Sequence, residues 1–432
     1  ICLKGPFRTA GRMQHTIPTG ETGPCGEKMA EAVAACVHCG FCLPTCPTYQ
    51  QLGEEMDSPR GRIFLMKEVL EGGLPVDAAA PYIDRCLGCL SCATACPSGV
   101  AYGELITSYR TRAENVRRRT FSQKLLRKLI LKTLPYPGRF HLAATGGRLV
   151  RPIARLLPRQ LATMLALIPG SLPRKEPLPE CMPAKGKRRG RVALLAGCAQ
   201  QVLAPQINVA TLRVLAENGI EVVVPRDQGC CGALAAHTGA GKEARAAAKH
   251  NINVFPRDVD AIITNAAGCG SGLHEYPLWL AGEPEQEAAG HFAARTVDIC
   301  QYLHDVGFRP PPPLTTPLPV AYHDACHLAH AQGVRSAPRA LLESIGNVQL
   351  CELADAEICC GSAGSYSIEQ PEIALQLGER KARAIIATGA QMVVTGNIGC
   401  LMQIESHLKR LSHPIPILHT IQLIDRAYRA EG

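Results

Sequence analysis

Eight cysteines in two short runs are the residues whose type and spacing most clearly predict chemistry. The runs read CVHCGFCLPTCP from Cys36 to Pro47 and CLGCLSCATACP from Cys86 to Pro97. This C-x2-C-x2-C-x3-C-P spacing lets three thiolates ligate one [4Fe-4S] cluster while the fourth ligates the other cluster of a pair. The ligands expected are Cys36, Cys39, Cys42 and Cys96 for one cluster, and Cys86, Cys89, Cys92 and Cys46 for the other.

Zinc is the alternative metal for these eight thiols. Zinc sites typically use separated C-x2-C pairs around one tetrahedral ion, whereas each run here carries four cysteines at closer spacing. The sequence also has no Cys-x-x-Cys-His, the attachment motif of covalent haem. We therefore expect two [4Fe-4S] clusters rather than zinc or haem.

Eight further cysteines occupy matching positions in two halves of the later sequence. In each half a cysteine ends an apolar, strand-like run, a Cys-Cys-Gly follows at nearly the same separation, and a fourth cysteine ends a further run. This repetition predicts a duplicated α/β module, called here the CCG module, with its cysteines at the carboxyl ends of parallel strands. The metal ligands expected are Cys198, Cys230, Cys231 and Cys269 in the first module, and Cys326, Cys359, Cys360 and Cys400 in the second.

The metal of the CCG modules is left open by the sequence. Four thiolates per module suit a further [4Fe-4S] cluster or a zinc ion, and buried free thiols in an ordinary core are the third interpretation. The second module also places His323, Asp324 and His327 beside Cys326, a set of polar residues that the first module lacks. His327 could tune a cluster or carry a proton near neutral pH. Alternatively, Asp324 caps the next helix and the histidines bond buried backbone groups.

Length and composition predict a multidomain, intracellular protein. The chain has 432 residues, and 16 of its 21 cysteines stand at metal-ligand spacings, which indicates reduced thiols rather than disulfides. No signal peptide is apparent, and no apolar run reaches the roughly 18 residues of a spanning helix. The fold class expected is an all-helical ferredoxin domain with two [4Fe-4S] clusters plus two pseudo-repeated α/β CCG modules. The domains expected are an N-terminal extension (1–30), the ferredoxin domain (31–115), a basic helical connector (116–190), the first CCG module (191–308), a Pro-rich linker (309–318) and the second CCG module (319–432).

The net positive charge is concentrated in the connector and the residues next to it. Between Arg110 and Arg191 there are 21 Lys or Arg and three acidic residues, so the segment has a charge of 21 minus 3, or +18, in a chain of net charge +9. Its leucines recur at helical spacing beside lysines, as in Leu125 and Leu129. Such a helix suits an acidic partner subunit, an anionic membrane surface, or a solvated face over an ordinary core. Aromatic residues are only 4% and do not interleave the basic run, so no nucleic-acid partner is expected.

Six longer strings, spread between about Ala35 and Tyr428, resemble the iron-sulfur subunits of bacterial glycolate oxidases. They are ACVHCGFCLPTCPTYQQLGEEMDSPRGRIFLMKE, GCCGALAAHTG, NAAGCGSGLHEY, HDACHLAHAQGVRSAPRALL, CCGSAGSYSIEQPEIALQLGERK and TGNIGCLMQIESHL. That family is similar to subunits of lactate dehydrogenases, anaerobic glycerol-3-phosphate dehydrogenase and heterodisulfide reductase.

The resemblance implies an oxidoreductase subunit that carries electrons within a complex. Its partner would be a flavin-binding dehydrogenase subunit that oxidises a 2-hydroxy acid of the glycolate or D-lactate type. Electrons would pass through the two clusters to the CCG modules and then to a quinone or other acceptor. The resemblance also implies a cytoplasmic location, with peripheral contact at the inner face of the cell membrane.

Two other functions remain as alternatives. In heterodisulfide reductase the catalytic CCG modules end in C-x-x-C, whereas here Gly272 and Gln403 stand three residues after Cys269 and Cys400. This difference disfavours a CCG catalyst that itself reduces a disulfide. The other alternative is a zinc-bearing structural scaffold, which would contain little iron.

Overall fold

The computed structural model describes residues 13–156, 164–165, 168, 170–174 and 176–429, and the chain divides after Arg118 into two compact units. Residues 1–12 of the predicted N-terminal extension, which include Cys2, lie outside the described residues. No helix of the described part of the chain is long and apolar enough to cross a membrane.

Helices are the regular elements of the first unit from residue 13 onward, and they frame the two cysteine runs. The helix Pro59–Leu70 shows how the sequence sets their ends, because Ser58 accepts a hydrogen bond from the Gly61 N–H and Pro59 fills the first turn. Val33, Met66 and other apolar side chains pack between the helices as a common core. The α-helices are Gly26–Ala34, Pro47–Leu52, Pro59–Leu70, Val76–Asp84, Ser91–Thr94 and Tyr102–Val116, with 3-10 turns at Thr19–Glu21 and Glu55–Asp57.

The second unit contains two sheets with the same arrangement of strands. The first sheet has the order β1-β3-β2-β4-β5 and the second has the order β7-β6-β8-β9. All neighbouring strands are parallel except for the short edge strand β1. The strands are β1 (Cys181–Met182), β2 (Gly190–Leu195), β3 (Ile220–Val223), β4 (Ala261–Thr264), β5 (Thr296–Asp298), β6 (Leu318–His323), β7 (Val348–Cys351), β8 (Met392–Thr395) and β9 (Ile417–His419). The order β3-β2-β4-β5 in the first sheet corresponds strand by strand to the order β7-β6-β8-β9 in the second. The repeat inferred from the cysteine spacing is therefore also a repeat of the sheet.

Helices connect the parallel strands of these sheets, as parallel connections require. They are Gln200–Leu203, Gln206–Glu217, Ala233–His237, Gly241–Val254, Ala267–His274, Tyr276–Trp279, Gln286–Ala294, Ile299–Asp305, Ser336–Glu343, Tyr366–Glu369, Pro371–Ala387, Ile398–Arg410 and Thr420–Tyr428, with a π-helical turn at His327–Ala331. The helices Phe121–Thr133 and Pro137–Val150 and a 3-10 segment at Arg151–Leu156 precede the first strand.

The two modules share one hydrophobic core. Side chains of both sheets, such as Leu194 and Val394, belong to a single buried cluster. The last helix of the second module packs on the first module, where Arg213 makes two hydrogen bonds of 2.6 and 2.8 Å to the carboxylate of Asp425. The two modules therefore pack against each other as one domain pair with a common core, rather than as separate domains joined only by a linker.

The first helix of the basic connector belongs to this second unit. In Phe121–Thr133 the buried side chains are Arg127 and Ile130, and the Arg127 guanidinium donates to the carbonyl oxygen of Thr238 in the first module. Leu125 and Leu129 point into solvent instead. The helix is therefore amphipathic as expected, but its leucine stripe is the exposed side and a buried arginine helps to fix its inner side.

Candidate metal centres

The cysteine runs of the first unit line two neighbouring cavities. Cys92 and Tyr102 line both of them, so the two cavities share a wall. The first cavity is lined by Cys36, Cys39, Cys42 and Cys96, and the second by Cys46, Cys86, Cys89 and Cys92. The structure thus brings together the two sets of four thiols that the sequence predicted, including the exchange of the fourth cysteine between the runs.

Matching backbone conformations shape the two runs. The second residue after the first cysteine has positive φ in both runs, at His38 (53°) and Gly88 (66°), and so does the fourth, at Gly40 (84°) and Leu90 (62°). Left-handed backbone is unfavourable for His and Leu, so the surrounding structure must impose it. The loop also directs a backbone N–H of Gly88 at the sulfur of Cys86 (3.4 Å). Glycine alone does not mark these left-handed positions in the sequence, since His38 and Leu90 occupy two of the four.

A buried arginine lies beside the second cavity and was not anticipated from the sequence. Arg62 is 1% exposed, and its guanidinium donates to Asp57 Oδ1 (3.1 Å), to the Tyr82 carbonyl oxygen (2.8 Å) and to the sulfur of Cys46 (3.8 Å). Although burial opposes the charge, the neighbouring thiol of Cys86 and other acidic groups raise the pKa of Arg62, so the guanidinium stays protonated. The second cavity therefore has a fixed positive charge at its wall.

This positive charge acts on the thiols around it. Burial disfavours ionisation of Cys86, but Arg62 and Arg110, with hydrogen bonds from Tyr102 and Gly88, lower the pKa of its thiol below the usual value. In the first cavity, burial instead raises the pKa of Cys42 to about 11. All cysteines of the described residues are free thiols. Two cavities that hold the two sets of four thiols, with Arg60 at the wall of the first and the buried Arg62 at the wall of the second, fit the negatively charged thiolate ligand sets of a pair of [4Fe-4S] clusters.

The first CCG module gathers its four cysteines at one edge of the sheet. Cys198 follows β2 and Cys230 follows β3, and their sulfurs are 3.4 Å apart. Cys231 contacts both Cys230 and Cys269, the latter in the first turn of the helix after β4. Because β3, β2 and β4 are adjacent and parallel, their carboxyl ends bring all four thiols into one cluster.

A hydrogen-bond network holds the Cys-Cys-Gly turn of the first module. The Asn251 side chain accepts from the Gly229 N–H (2.9 Å) and donates to the Cys230 carbonyl oxygen (3.0 Å), while the Tyr276 hydroxyl donates to that of Cys231 (3.0 Å). The first module lacks the polar residues that stand beside Cys326 in the second, and its polar support comes from distant positions instead. These residues lie 21 and 45 positions from the cysteines they hold, which is why no local pattern revealed them.

The second CCG module repeats this cluster. The sulfurs of Cys326 and Cys359 are 4.0 Å apart, Cys360 contacts Cys359 and Cys400, and Asn397 donates to the sulfur of Cys400 (3.4 Å). In both modules the glycine of Cys-Cys-Gly donates its N–H to the first sulfur at 3.5 Å. The eight CCG cysteines therefore form two separate thiol clusters of four.

In each CCG module one thiol ionises more easily than its neighbours. Hydrogen bonds from the adjacent thiols of Cys198 and Cys231 lower the pKa of Cys230. Those from Cys359 and Cys400 do the same for Cys360. A thiolate surrounded by three further thiols is a donor set suited to a metal rather than to packing alone.

The polar residues of the second module have distinct roles. Asp324 receives two hydrogen bonds from the Arg339 guanidinium (2.7 and 2.6 Å), so the interpretation of its side chain as a helix cap is wrong. His327 lies next to His237 of the first module, with ring centroids 5.2 Å apart. His323 is buried against Cys360 and Cys400. Of the three, only His323 belongs to the thiol cluster.

The two thiol clusters are linked through hydrogen bonds between the turns that carry them. The N–H of Ala267 donates to the Gly396 carbonyl oxygen (3.2 Å), and that of Gly268 donates to Asn397 Oδ1 (3.4 Å). Ala267 and Gly268 open the helix of Cys269, while Asn397 precedes the helix of Cys400. The carboxyl edges of the two sheets therefore face each other.

Comparison with known proteins agrees with this arrangement. Residues 32–100 match the 4Fe-4S dicluster domain family, and residues 192–274 and 320–405 each match the cysteine-rich domain family. The chain resembles a solved structure, a hypothetical protein from Helicobacter pylori, with a TM-score of 0.50 over 85% of this chain and 72% of that one. At 11% identity this similarity concerns the fold alone.

Curated relatives cover nearly the whole chain. The probable glycolate oxidase iron-sulfur subunit of Bacillus subtilis is 36% identical, over 92% of this chain and 95% of that one. The glycolate oxidase iron-sulfur subunit of Escherichia coli is also 36% identical, over 92% and 94%. Lactate utilization protein A of Exiguobacterium is 30% identical over 55% of this chain and 98% of its own. The chain therefore belongs to the family of glycolate oxidase iron-sulfur subunits and carries two [4Fe-4S] clusters in its first unit.

Proposed function

We propose that this chain carries electrons from a flavin-binding 2-hydroxyacid dehydrogenase subunit to an acceptor, with a membrane quinone as that acceptor. The single observation that supports this most directly is the pair of cavities that share Cys92 and Tyr102. A [4Fe-4S] cluster, when bound, accepts and releases one electron, and two neighbouring sites allow transfer between them. The substrate class comes from the relatives named for glycolate oxidase and lactate utilization.

In this proposal the protein's own residues hold, screen and position the metal sites. The all-helical ferredoxin domain provides the ligands of the two clusters, and the CCG modules provide two more metal sites. The cluster ligands proposed are Cys36, Cys39, Cys42 and Cys96, and Cys86, Cys89, Cys92 and Cys46. The CCG ligands proposed are Cys198, Cys230, Cys231 and Cys269, and Cys326, Cys359, Cys360 and Cys400.

The exposed rim of the first cavity is the surface we assign to the flavoprotein. Cys39 is exposed, and the neighbouring apolar side chains of Val37 and Phe41 are 41% and 65% exposed. Apolar residues left in water around a redox site favour docking of a partner, since the contact buries them and shortens the electron path. The second cavity, whose four cysteines include the buried Cys46, Cys86 and Cys89, suits the later position in the chain of transfer.

The helix Phe121–Thr133 is the surface we assign to the membrane. Phe121, Leu125 and Leu129, spaced by four residues, are exposed, and Lys124 and Lys128 stand beside them in solvent. Exposed apolar residues flanked by lysines suit the boundary of an anionic bilayer. Peripheral contact at this helix would place the protein where a quinone can receive its electrons.

The test separates flavin reduction from electron delivery. In the purified complex of this chain with its flavoprotein, Cys42→Ser is expected to leave substrate-dependent flavin reduction unchanged and to reduce acceptor reduction to background. Cys181→Ser is the matched control, because Cys181 is exposed and lies outside the thiol clusters. Normal acceptor reduction by the Cys42→Ser complex would refute the proposed electron path.

A further inference from the structure

His323 is a completely buried histidine at the end of β6, and the hydrogen-bonding group against its ring is the thiol of Cys360. Among the described residues its ring nitrogens have no oxygen or nitrogen partner. A buried polar group without such a partner is costly, and such groups in native proteins usually mark a functional site or a missing ion. The imidazole is therefore placed to act as a ligand beside the thiols of the second module.

The imidazole ring faces the thiol cluster of the second module. A ring nitrogen of His323 and the sulfurs of Cys360 and Cys400 all lie within 4.8 Å of one another. Ligand atoms bound to one tetrahedral zinc at about 2.0–2.3 Å are separated by roughly 3.3–3.8 Å, so small side-chain shifts would close the set around an ion. Cys326 and Cys359 complete the surroundings and offer the fourth ligand.

The first module provides an internal comparison at the same position. His323 pairs with Thr395 across β6 and β8, and Leu195 pairs with Thr264 across the equivalent strands β2 and β4. Each residue stands three positions before the first cysteine of its cluster. The same fold thus tolerates leucine in this place, so packing alone does not require the histidine of the second module.

We propose that His323 is a metal ligand and that the second CCG module binds one zinc ion through a mixed imidazole and thiolate donor set. The first module, with leucine at the matching position, has thiolates alone. Mixed Cys and His ligation is typical of structural zinc, whereas all-thiolate sets also serve iron-sulfur clusters. The inference rests on the proposed metal role of the second-module cysteines and is independent of the electron path.

The test measures zinc and iron in the anaerobically purified full-length protein and in two variants. His323→Leu introduces the residue that the first module carries, and Cys360→Ser removes a proposed thiolate. Both variants are expected to lose about one zinc per chain on dialysis against a chelator, while wild type retains it and iron is unchanged. Zinc K-edge absorption of wild type is expected to show nitrogen beside sulfur in the ligand shell. In each variant, an unchanged iron content and an unchanged visible absorbance of the two [4Fe-4S] clusters show that the rest of the chain is folded.

Each other outcome contradicts a defined step. Zinc that survives in His323→Leu but not in Cys360→Ser, with a sulfur-only shell, would refute the ligand role of His323 and leave the cysteines as ligands. Iron beyond the roughly eight atoms of two [4Fe-4S] clusters, lost in Cys360→Ser, would refute zinc as the metal of this module. A chain with no metal beyond those eight irons would refute the metal role of the CCG cysteines. These outcomes are read from metal content, whereas the proposed electron path is read from acceptor reduction, so the two proposals fail distinguishably.

Discussion

Replacing the buried Arg62 should lower the reduction potential of the second cluster. Its guanidinium lies 3.8 Å from the sulfur of Cys46, one of the four thiols that line that cavity. At an effective dielectric constant of about 20, a unit charge at 3.8 Å contributes about 4.4 kcal/mol, or about 190 mV for a one-electron couple. Asp57, 3.1 Å from the same guanidinium, offsets much of that field. We therefore expect Arg62→Met to lower the potential by several tens of millivolts.

The same substitution should also destabilise the first unit. Arg62 and Asp57 form a buried ion pair, and breaking such a pair by removing one partner typically costs about 3–5 kcal/mol. Arg85 also bonds to Asp57 (2.9 Å), so the carboxylate keeps one cation and the loss should fall near about 3 kcal/mol. Arg62→Lys retains the charge without the planar guanidinium and should shift the potential less than Arg62→Met.

An anaerobic redox titration followed by electron paramagnetic resonance measures this prediction. Lys28→Met is the matched control, because Lys28 is in the same unit but half exposed, where solvent screens its charge. The second cluster should shift downward in Arg62→Met and stay in place in Lys28→Met. The reasoning is wrong if Arg62→Met leaves both potentials unchanged or shifts the first cluster more than the second.

Three other predictions follow from single contacts. A Cβ at Gly361, where φ is +85°, would lie 2.8 Å from the Ala374 carbonyl oxygen, so Gly361→Ala should lower the free energy of unfolding by at least about 1–2 kcal/mol. The variant should also lose metal from the second module, as measured by elemental analysis, and full metal retention would contradict this prediction. Burial raises the pKa of Asp298 to about 7, so the folded state holds a proton that the unfolded state releases, and stability should fall as pH rises from about 4 to 7. Asp298→Asn keeps the bond from the Cys300 N–H and should flatten that dependence in melting temperatures, whereas an unchanged slope would refute this cause. Leu125→Glu should weaken salt-sensitive sedimentation with anionic vesicles, and equal binding by the variant would exclude this helix as the contact.

The metal-binding cysteines were predictable because their geometry is set locally or by a general rule of topology. A ferredoxin run fixes its ligands within a few residues, which made the exchange of Cys46 and Cys96 between the cavities readable from spacing. The CCG cysteines follow neighbouring strands, and parallel strands bring their carboxyl ends together. Neither inference needed knowledge of side-chain packing.

The supporting residues were not predictable because long-range packing decides their roles. Arg62 occurs in a helix with an apolar face, and a charged residue there normally faces water; only Asp57 and the cavity make burial favourable. Tyr276 and Asn251 support a turn far away in sequence. The leucine stripe of Phe121–Thr133 was recognised, but the sequence did not show that Ile130, rather than Leu125, contacts the modules.

The hydrogen bonds between Ala267 and Gly396 and between Gly268 and Asn397 make the two CCG sites mutually dependent. The turn that carries Cys400 in the second CCG module also supports the start of the helix that carries Cys269 in the first CCG module. Zinc has no redox chemistry, so an ion held by His323 in the second module would fix this turn at any potential. A rigid neighbour would keep the ligands of a redox site in the first module in place while its charge changes, which lowers the reorganisation that each transfer requires. With zinc in the second module and a redox site in the first, as proposed, the difference between Leu195 and His323 would separate a stabilising site from an electron-carrying one.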